Sequence, residues 1–427
     1  YALPALIAIG HARHAARPTR NPILRAIRDR ASPRTLRLLR EIQPSTGGYL
    51  EATPLTSFVL MSLIAAGHGD HAVVPDAVAF LERSVRPDGS WPIDTNLATW
   101  TTTLAVNALG SESVDGPAIR DWLLGQQYRT VHPYTRAAPG GWAWTDLAGG
   151  VPDADDTPGA LLALAKLPDP DGRSLEAPAA GVRWLLGVQN ADGGIPTFCR
   201  GWTGLPFDRS STDLTAHTLL AWAAWKERLR LPEIDRAAGR AIRFLARSQR
   251  KDGAWEPLWF GNQHAAEVAN LTYGTSRVLR LAAIPEAFRF PESWHARMRA
   301  GAGFLLATQN ADGGWGGRAG TPSSIEETGL ALEGLASVGH PDFDTARERG
   351  IAWLTAATDG GTRFPPSPIG FYFANLWYFE ELYPVIFTVA GLRSEPGASA
   401  TGGAPESGTR FGLGFGWDSS RCRTSGR

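Results

Sequence analysis

The sequence predicts an all-α fold, an α/α toroid in which paired helices form one near-complete barrel and part of a second. A short motif recurs along the 427 residues, apolar residues between its copies recur at helical spacing, and the alternating pattern of β-strands is missing. Helix pairs repeated at a fixed period stack side by side. With this many repeats, the stack is expected to close into a toroid.

The repeated motif is an aromatic residue followed by Leu, then a Gln, an Asp-Gly pair and a Trp. Its fullest copies begin at Phe244 and Phe304, which are 60 residues apart, and Trp184 opens a further copy 60 residues before Phe244. Less complete copies begin at Phe80, Trp122 and Trp353. Because an Asp-Gly pair ends a helix in a turn with positive φ, each copy predicts a junction between two helices.

Three regions follow from this pattern. Residues 96–393 are predicted to form the α/α barrel that carries the acid motif described below, and residues 1–95 part of a second barrel. Residues 394–427 are rich in Gly and Ser and have little apolar periodicity, so a disordered tail is predicted there.

The composition restricts the classes of function. The formal net charge is zero, so nothing favours nucleic acid as a partner. The two cysteines, Cys199 and Cys422, exclude a disulfide scaffold and favour a reducing compartment. No apolar run reaches the roughly 18 residues that cross a bilayer. The chain starts at Tyr1 inside an apolar segment, which indicates a start within a larger protein.

Three carboxyl groups, those of Asp153, Asp155 and Asp156, lie within four residues and follow two tryptophans. Like charges at this spacing cannot all ionise easily, so at least one carboxyl is expected to keep its proton well above the ordinary pKa of about 3.9. A protonated carboxyl beside aromatic rings indicates acid chemistry on an apolar substrate. The alternative is structural: one of the three caps the helix that begins near Pro158.

Asp213 and His217 are four residues apart and share one face of a predicted helix. In the functional interpretation, His217 bonds to the acid cluster and holds one carboxyl in its proton-donating form. As an imidazolium it also strengthens that acid. The alternative is an ordinary ion pair on the helix surface.

Large aromatic side chains form the third candidate set, with 16 Trp in the chain. Those at predicted turns or helix ends are Trp100, Trp142, Trp144, Phe198, Trp259, Tyr273, Phe371 and Tyr372. Core packing explains each of them singly. Together they could line a cavity whose π faces stabilise a carbocation. The sequence contains no zinc-ligand spacing, phosphate loop or nucleophile elbow.

The Asp-x-Asp-Asp-Thr run at residues 153–157, the Gln…Gly-Trp repeats and the Asp-x-Thr-Ala-His run at residues 213–217 resemble the squalene–hopene cyclases, a group of class II triterpene cyclases. The resemblance covers about residues 1–392. It implies that Asp155 protonates a terminal alkene, with Asp153 and Asp156 as its carboxylate neighbours. It further implies that His217 activates the acid and that Asp213 orients His217.

The resemblance also implies a substrate and a setting. Squalene is expected to be cyclised to hopene, hopanol or a similar polycyclic triterpene without a metal or cofactor. Two α/α barrels are expected to enclose the cavity, with the protein attached to the cytoplasmic face of the cell membrane and a homodimer as one assembly. Expected substrate contacts are Trp100, Trp142, Trp144, Phe198, Cys199, Trp259, Tyr273 and Phe371, with Tyr372 near the far end.

Several positions depart from the pattern of these cyclases, roughly the first third of which has no counterpart here. Ile195 replaces a repeat Trp, Phe198 a common Tyr, and Pro368 an aromatic near the last cations, while Glu326 and Glu327 add two carboxylates. These departures lie outside the acid motif, so the initiation chemistry is expected to be intact. The number of rings formed and the terminal step are left undetermined. Alternatives are a class II cyclase of oxidosqualene or a diterpenyl diphosphate, or a non-catalytic α/α repeat protein that binds lipid or a partner.

Overall fold

The fold comes from a computed structural model, which describes residues 1–111, 114–133, 135–169, 175–200 and 204–394. The predicted disordered tail, apart from its first residue, lies outside the described residues. Helices dominate, as the repeats predict.

Six helices form a closed inner ring in which each packs against the next and the last returns to the first. They are α5 (Ala98–Leu109), α7 (Asp156–Lys166), α9 (Thr212–Leu229), α11 (Leu271–Leu279), α13 (Ile325–Val338) and α15 (Leu382–Arg393). The outer helices, each packed on at least one inner helix, are α6 (Gly116–Gln126), α8 (Glu176–Val188), α10 (Glu233–Ser248), α12 (Trp294–Thr308) and α14 (Asp344–Ala357). The predicted all-α toroid is therefore confirmed.

A small antiparallel sheet is the one sheet in the described part of the chain. Its strands are β1 (Phe260–Gly261), β2 (Ile369–Phe371) and β3 (Leu376–Tyr378). Phe260 pairs with Phe371, which pairs in turn with Leu376. The sheet gathers aromatic residues from two distant segments at one end of the ring.

Four further helices precede the ring: α1 (Leu3–Ala16), α2 (Pro22–Glu41), α3 (Thr53–Ala65) and α4 (Val73–Arg83). They have a small core of their own around Ile7, Leu39, Val59 and Leu63, separate from the core of the ring. That they form part of a second barrel stays a prediction. No helix in the described ranges combines the length and hydropathy of a bilayer-crossing segment.

The repeated motif joins neighbouring helix pairs through hydrogen bonds. The Gln249 amide donates to the carbonyls of Gly253 and of Arg297 on α12, at 2.9 Å each. Equivalent pairs of bonds are made by Gln127, Gln189 and Gln309. At the turn, Gly253 has a φ of +90°, and a Cβ there would lie 2.4 Å from the Ala300 carbonyl oxygen. This explains the Gly of the motif.

The Trp of the motif closes each unit back on its own helix. Trp255 and Trp315 are fully buried, and their indole N–H groups donate to the carbonyls of Leu245 and Leu305. Ile195, which replaces this Trp in one copy, is also fully buried. The position therefore keeps its apolar packing there and loses the indole hydrogen bond.

Candidate active site

The acid motif lies at the start of α7, and its carboxyl groups make different contacts. Asp153 Oδ1 accepts hydrogen bonds from the backbone N–H groups of Asp155 and Asp156, each at 2.8 Å. Asp153 therefore caps the helix, as the structural alternative predicted for one of the three. This capping leaves the Asp155 carboxyl available for another contact.

Asp155 meets His217, although 62 positions separate them in the sequence. His217 Nδ1 lies 3.2 Å from Asp155 Oδ1, and each side chain is 12% exposed. The contact forms because α7 and α9 are adjacent in the inner ring. The predicted hydrogen bond between the histidine and the acid cluster is thus present.

Burial controls the protonation of this region. It raises the pKa of Asp153 to about 7 and that of Asp213 to about 6. Burial and the charges of Asp153 and Asp155 raise the pKa of Asp156 well above its ordinary value. Burial also lowers the pKa of His217, against the opposing effect of its hydrogen bond to Asp155. Burial therefore favours the neutral, protonated form of the Asp153, Asp156 and Asp213 carboxyl groups relative to an aspartate in water.

Asp213 does not orient His217, so that expectation is corrected. Its Oδ1 accepts a hydrogen bond from the Ser211 hydroxyl, and its Oδ2 is buried without a partner among the described residues. Asp213 is at the first turn of α9, where its hydroxyl partner is only two residues away. The i, i+4 spacing permitted a contact with His217, but the shorter-range bond formed instead.

An apolar cavity of about 340 Å³ opens beside the acid motif. Its walls include Asp153, Asp155 and Asp156. Of the predicted substrate contacts, Trp100, Trp144, Phe198, Trp259 and Phe371 line it. The ring centroids of Trp144 and Phe198 are 6.2 Å apart, and those of Trp259 and Phe371 are 4.8 Å apart. Their π faces could stabilise a cation by ~2 kcal/mol per desolvated contact.

Four predicted substrate contacts lie elsewhere. Trp142 is fully buried in the ring core and donates to the Leu123 carbonyl, so it is a packing residue of the repeat. Tyr273 lines a smaller polar cavity behind Asp155, and Cys199 lines a separate surface groove. Tyr372 packs beside β1 with its hydroxyl 3.4 Å from the Pro257 carbonyl. None of the four lines the apolar cavity, so that cavity does not support their predicted contact with substrate, which stays a prediction.

Comparison with known proteins agrees with this geometry. The sequence model of the squalene-hopene cyclase C-terminal domain matches residues 97–387, the part that forms the ring. The chain belongs to this cyclase family. The acid motif, its histidine partner and the aromatic residues that line the cavity from the ring lie within the matched residues, whereas part of the cavity wall, including Tyr1 and Asp94, lies before them.

Relatives of this cyclase domain have different named products. Enfumafungin synthase from Hormonema carpetanum is 29% identical over 79% of this chain and 28% of its own length. A drimenyl diphosphate synthase from Streptantibioticus cattleyicolor is 30% identical over 67% of this chain and 51% of its own. Squalene–hopene cyclase from Zymomonas mobilis is 28% identical over 61% and 42%. The chain thus spans about a quarter to a half of the length of these relatives.

Solved structures show the same fold. The ent-copalyl diphosphate synthase from Streptomyces platensis superposes with a TM-score of 0.55 at 20% sequence identity, covering 77% of this chain and 57% of that protein. The helical architecture is therefore that of class II terpene cyclases.

Sequence reasoning missed a cluster of charged side chains in the cyclase domain, which lies near Asp155. A cavity of about 30 Å³ borders Asp155, His217 and Glu333. Glu333 pairs with Arg277 at 3.3 Å and with Arg280 at 3.1 Å. Charged residues within apolar helical runs were the signal that could have found them.

Sequence reasoning also missed three more residues that line the apolar cavity. Tyr383 accepts a 2.7 Å hydrogen bond from the Trp100 indole, and both residues line the apolar cavity beside the acid motif. Tyr378 and Asp94 line the same cavity from other segments. None of the three lies in a sequence motif, so only the three-dimensional structure shows that they line the cavity.

Glu326 and Glu327, the two additional carboxylates, lie at the first turn of α13 and are 3% exposed each. Glu327 accepts hydrogen bonds from the Asn262 and Asn270 amides, and Glu326 from the Ser367 N–H. Burial raises the pKa of both, that of Glu326 to about 7. They join α13 to β1, α11 and the segment before β2.

Asp156→Asn should stabilise the fold at alkaline pH. Because the folded-state pKa of Asp156 is raised above its unfolded value, its protonation stabilises the protein below the unfolded pKa, and that stability is lost as pH rises. Asparagine removes the buried charge, so the midpoint of thermal unfolding should exceed that of the parent more at pH 8 than at pH 5. Asp121→Asn, on the exposed face of α6, is the control. An equal difference at both pH values would contradict the assignment.

Proposed function

We propose that this chain carries the acid-initiation site of a class II terpene cyclase, which protonates a terminal alkene of squalene and cyclises it to a polycyclic triterpene such as hopene or hopanol. One observation carries the proposal. Asp155 both contacts His217 and lines the apolar, aromatic cavity. A carboxylic acid in this position can deliver a proton where water is excluded.

In the proposed reaction, the carboxyl O–H bond of Asp155 breaks and its proton forms a new C–H bond with the terminal alkene. The alkene electrons supply that bond, which leaves a tertiary carbocation. The next alkene attacks the cation, and each ring closure moves the positive charge along the chain. His217 stabilises the Asp155 carboxylate that remains, and the aromatic walls stabilise the moving charge.

A second substrate class is favoured by one observation. The surface groove beside the cavity is lined by Arg136, Arg183 and Arg200, and it shares Tyr1 and Phe198 with the cavity walls. Guanidinium groups at a cavity mouth suit a diphosphate. An isoprenyl diphosphate is therefore the competing substrate, and drimenyl diphosphate synthases are among the relatives.

The test is incubation of the protein, in detergent micelles, with squalene, oxidosqualene, farnesyl diphosphate and geranylgeranyl diphosphate in parallel. Products are extracted, dephosphorylated where needed, and identified by gas chromatography with mass spectrometry. A cyclic hydrocarbon or alcohol from squalene supports the proposal. Cyclic products from a diphosphate alone would assign the second class, and no cyclic product from any substrate would refute cyclase activity of this chain.

His217→Ala should slow cyclisation by roughly 10²- to 10³-fold without abolishing it, because the histidine assists the acid and is not the donor. Initial rates of product formation would be compared with those of the parent. His295→Ala, at an exposed position on α12, is the control. A rate within threefold of the parent would remove His217 from the mechanism.

Membrane attachment, a cytoplasmic location and a homodimer remain proposals. Exposed apolar side chains on α1–α3 support membrane attachment; the largest exposed fractions are those of Ile23 at 70%, Met61 at 61% and Ile27 at 58%. Co-flotation with vesicles of phosphatidylglycerol and phosphatidylethanolamine tests attachment. Recovery of all protein in the unbound fraction would count against it.

A further inference from the structure

Asp94 is a carboxyl group that lines the apolar cavity beside the acid motif but lies outside that motif. Among the described residues that line this cavity, the carboxyl groups are those of Asp94, Asp153, Asp155 and Asp156. The last three lie within four residues of sequence and belong to the acid motif. Asp94 comes from a different segment, the connection between α4 and α5.

The backbone holds Asp94 in place. Asp94 forms an antiparallel bridge with Ala52. On either side of this bridge, Thr53 N–H donates to the Ile93 carbonyl at 2.9 Å and Thr95 N–H donates to the Glu51 carbonyl at 3.0 Å. These two hydrogen bonds fix the segment that carries the carboxyl. A group with a fixed position can act on one part of a folded substrate and not on others.

Asp94 also borders a second cavity, of about 440 Å³, at the protein surface. Polar and charged side chains line that cavity, including Glu51, Arg86, Asn96 and Glu380. Asp94 is the one carboxyl in the described chain that borders both cavities. It therefore lies between the apolar cavity and a second cavity at the protein surface.

The protonation of Asp94 suits a group that both takes and releases protons. Burial, and then the charge of Glu51, raise the pKa of Asp94 to about 7. A carboxyl with this pKa is a stronger base than an ordinary aspartate, and it exchanges its proton with solvent near neutral pH. Burial raises the pKa of Tyr378 and of Asp156, and the charge of Asp94 adds to both shifts.

We propose that Asp94 is the base that ends the cyclisation by deprotonating the last carbocation. This inference rests on the proposed function. A C–H bond next to the cationic carbon breaks, its electron pair forms the product alkene, and the proton passes to an Asp94 carboxylate oxygen. Asp94 then releases the proton into the polar cavity, while Asp155 takes up another from solvent. Protons balance over the cycle, so the reaction is an isomerisation that needs no co-reactant.

The variant Asp94→Asn is nearly isosteric but cannot accept the proton. With squalene as substrate, its rate of substrate consumption should fall far less than that of Asp155→Asn, because the proton donor Asp155 is intact. Its ratio of alkene to alcohol products should fall by roughly tenfold, since water captures a cation that has no base beside it. Asp94→Glu should restore part of the alkene fraction. Asp88→Asn, an exposed change on the same connection, should match the parent.

The outcomes separate this inference from the proposed function. An unchanged product ratio in Asp94→Asn, with a cyclising parent, overturns the role of Asp94 alone. Loss of substrate consumption in Asp94→Asn, with a parent-like thermal midpoint, would place Asp94 in initiation and also overturn its role as the terminal base. A parent that forms only alcohol contradicts deprotonation by any residue. A parent that forms no cyclic product from squalene overturns both proposals.

Discussion

Asp155→Asn is expected to abolish cyclisation, with product formation at least 10³-fold below the parent. Asparagine keeps the size of the side chain but has no proton to donate, and no other carboxyl in the described chain has the same contact with His217. Product from squalene, measured over time by mass spectrometry, gives the rate. Circular dichroism and the thermal midpoint check that the fold is intact.

Two comparisons make this result specific. Asp121→Asn is the same chemical change on the exposed face of α6, and it should leave the rate unchanged. Asp153→Asn should reduce activity less than Asp155→Asn, because an Asn side-chain oxygen can still cap α7. Parent-like turnover by Asp155→Asn would refute the proposed initiation step.

Trp315→Ala should destabilise the ring by about 3–5 kcal/mol. The indole is fully buried, packs against Gly350 of α14 and donates a 2.7 Å hydrogen bond to the Leu305 carbonyl. Alanine leaves a cavity and an unpaired carbonyl. Urea denaturation followed by circular dichroism, with midpoints compared at equal slope, measures the loss.

Trp91 offers the matched control. Its indole makes the equivalent 2.8 Å bond to the Leu81 carbonyl, but the side chain is 54% exposed. Trp91→Ala should therefore cost about 1 kcal/mol. If the two variants lost equal stability, the hydrogen bond and not the burial would account for the effect.

The sequence predicted the features that depend on short-range pattern. The period of the motif predicted the helix pairs, since Gly253 and its equivalents need a turn that other residues strain to adopt. Three aspartates within four residues predicted a site in which at least one carboxyl keeps its proton, and burial raises the pKa of Asp153 and Asp156. The bond between His217 and Asp155 was predicted from chemical need together with family resemblance, not from spacing.

The remaining features depend on how distant segments meet. Asp94 and Tyr383 lie in no motif; Tyr383 reaches the cavity because α15 closes the ring, and Asp94 because the segment before α5 pairs with Ala52. Trp142 and Trp144 are two residues apart in the same loop, yet one is fully buried in the core and the other lines the cavity. Which of the two side chains faces the core and which faces the cavity depends on the local backbone conformation, which the residue types alone do not specify. Asp213 similarly had two partners within reach, and only the geometry of Ser211 decides between them.

The closed ring has a consequence for how the protein unfolds. Helix α15 returns to α5, the Trp100–Tyr383 bond joins them, and glutamine side chains tie each outer helix to the next. An open array of helix pairs frays from its ends, because each end unit has one neighbour. Here, within the described residues, every inner helix has two. Native-state hydrogen exchange should therefore show one shared opening energy for amides across α5–α15, and cooperativity should fall when the α15–α5 seam is cut.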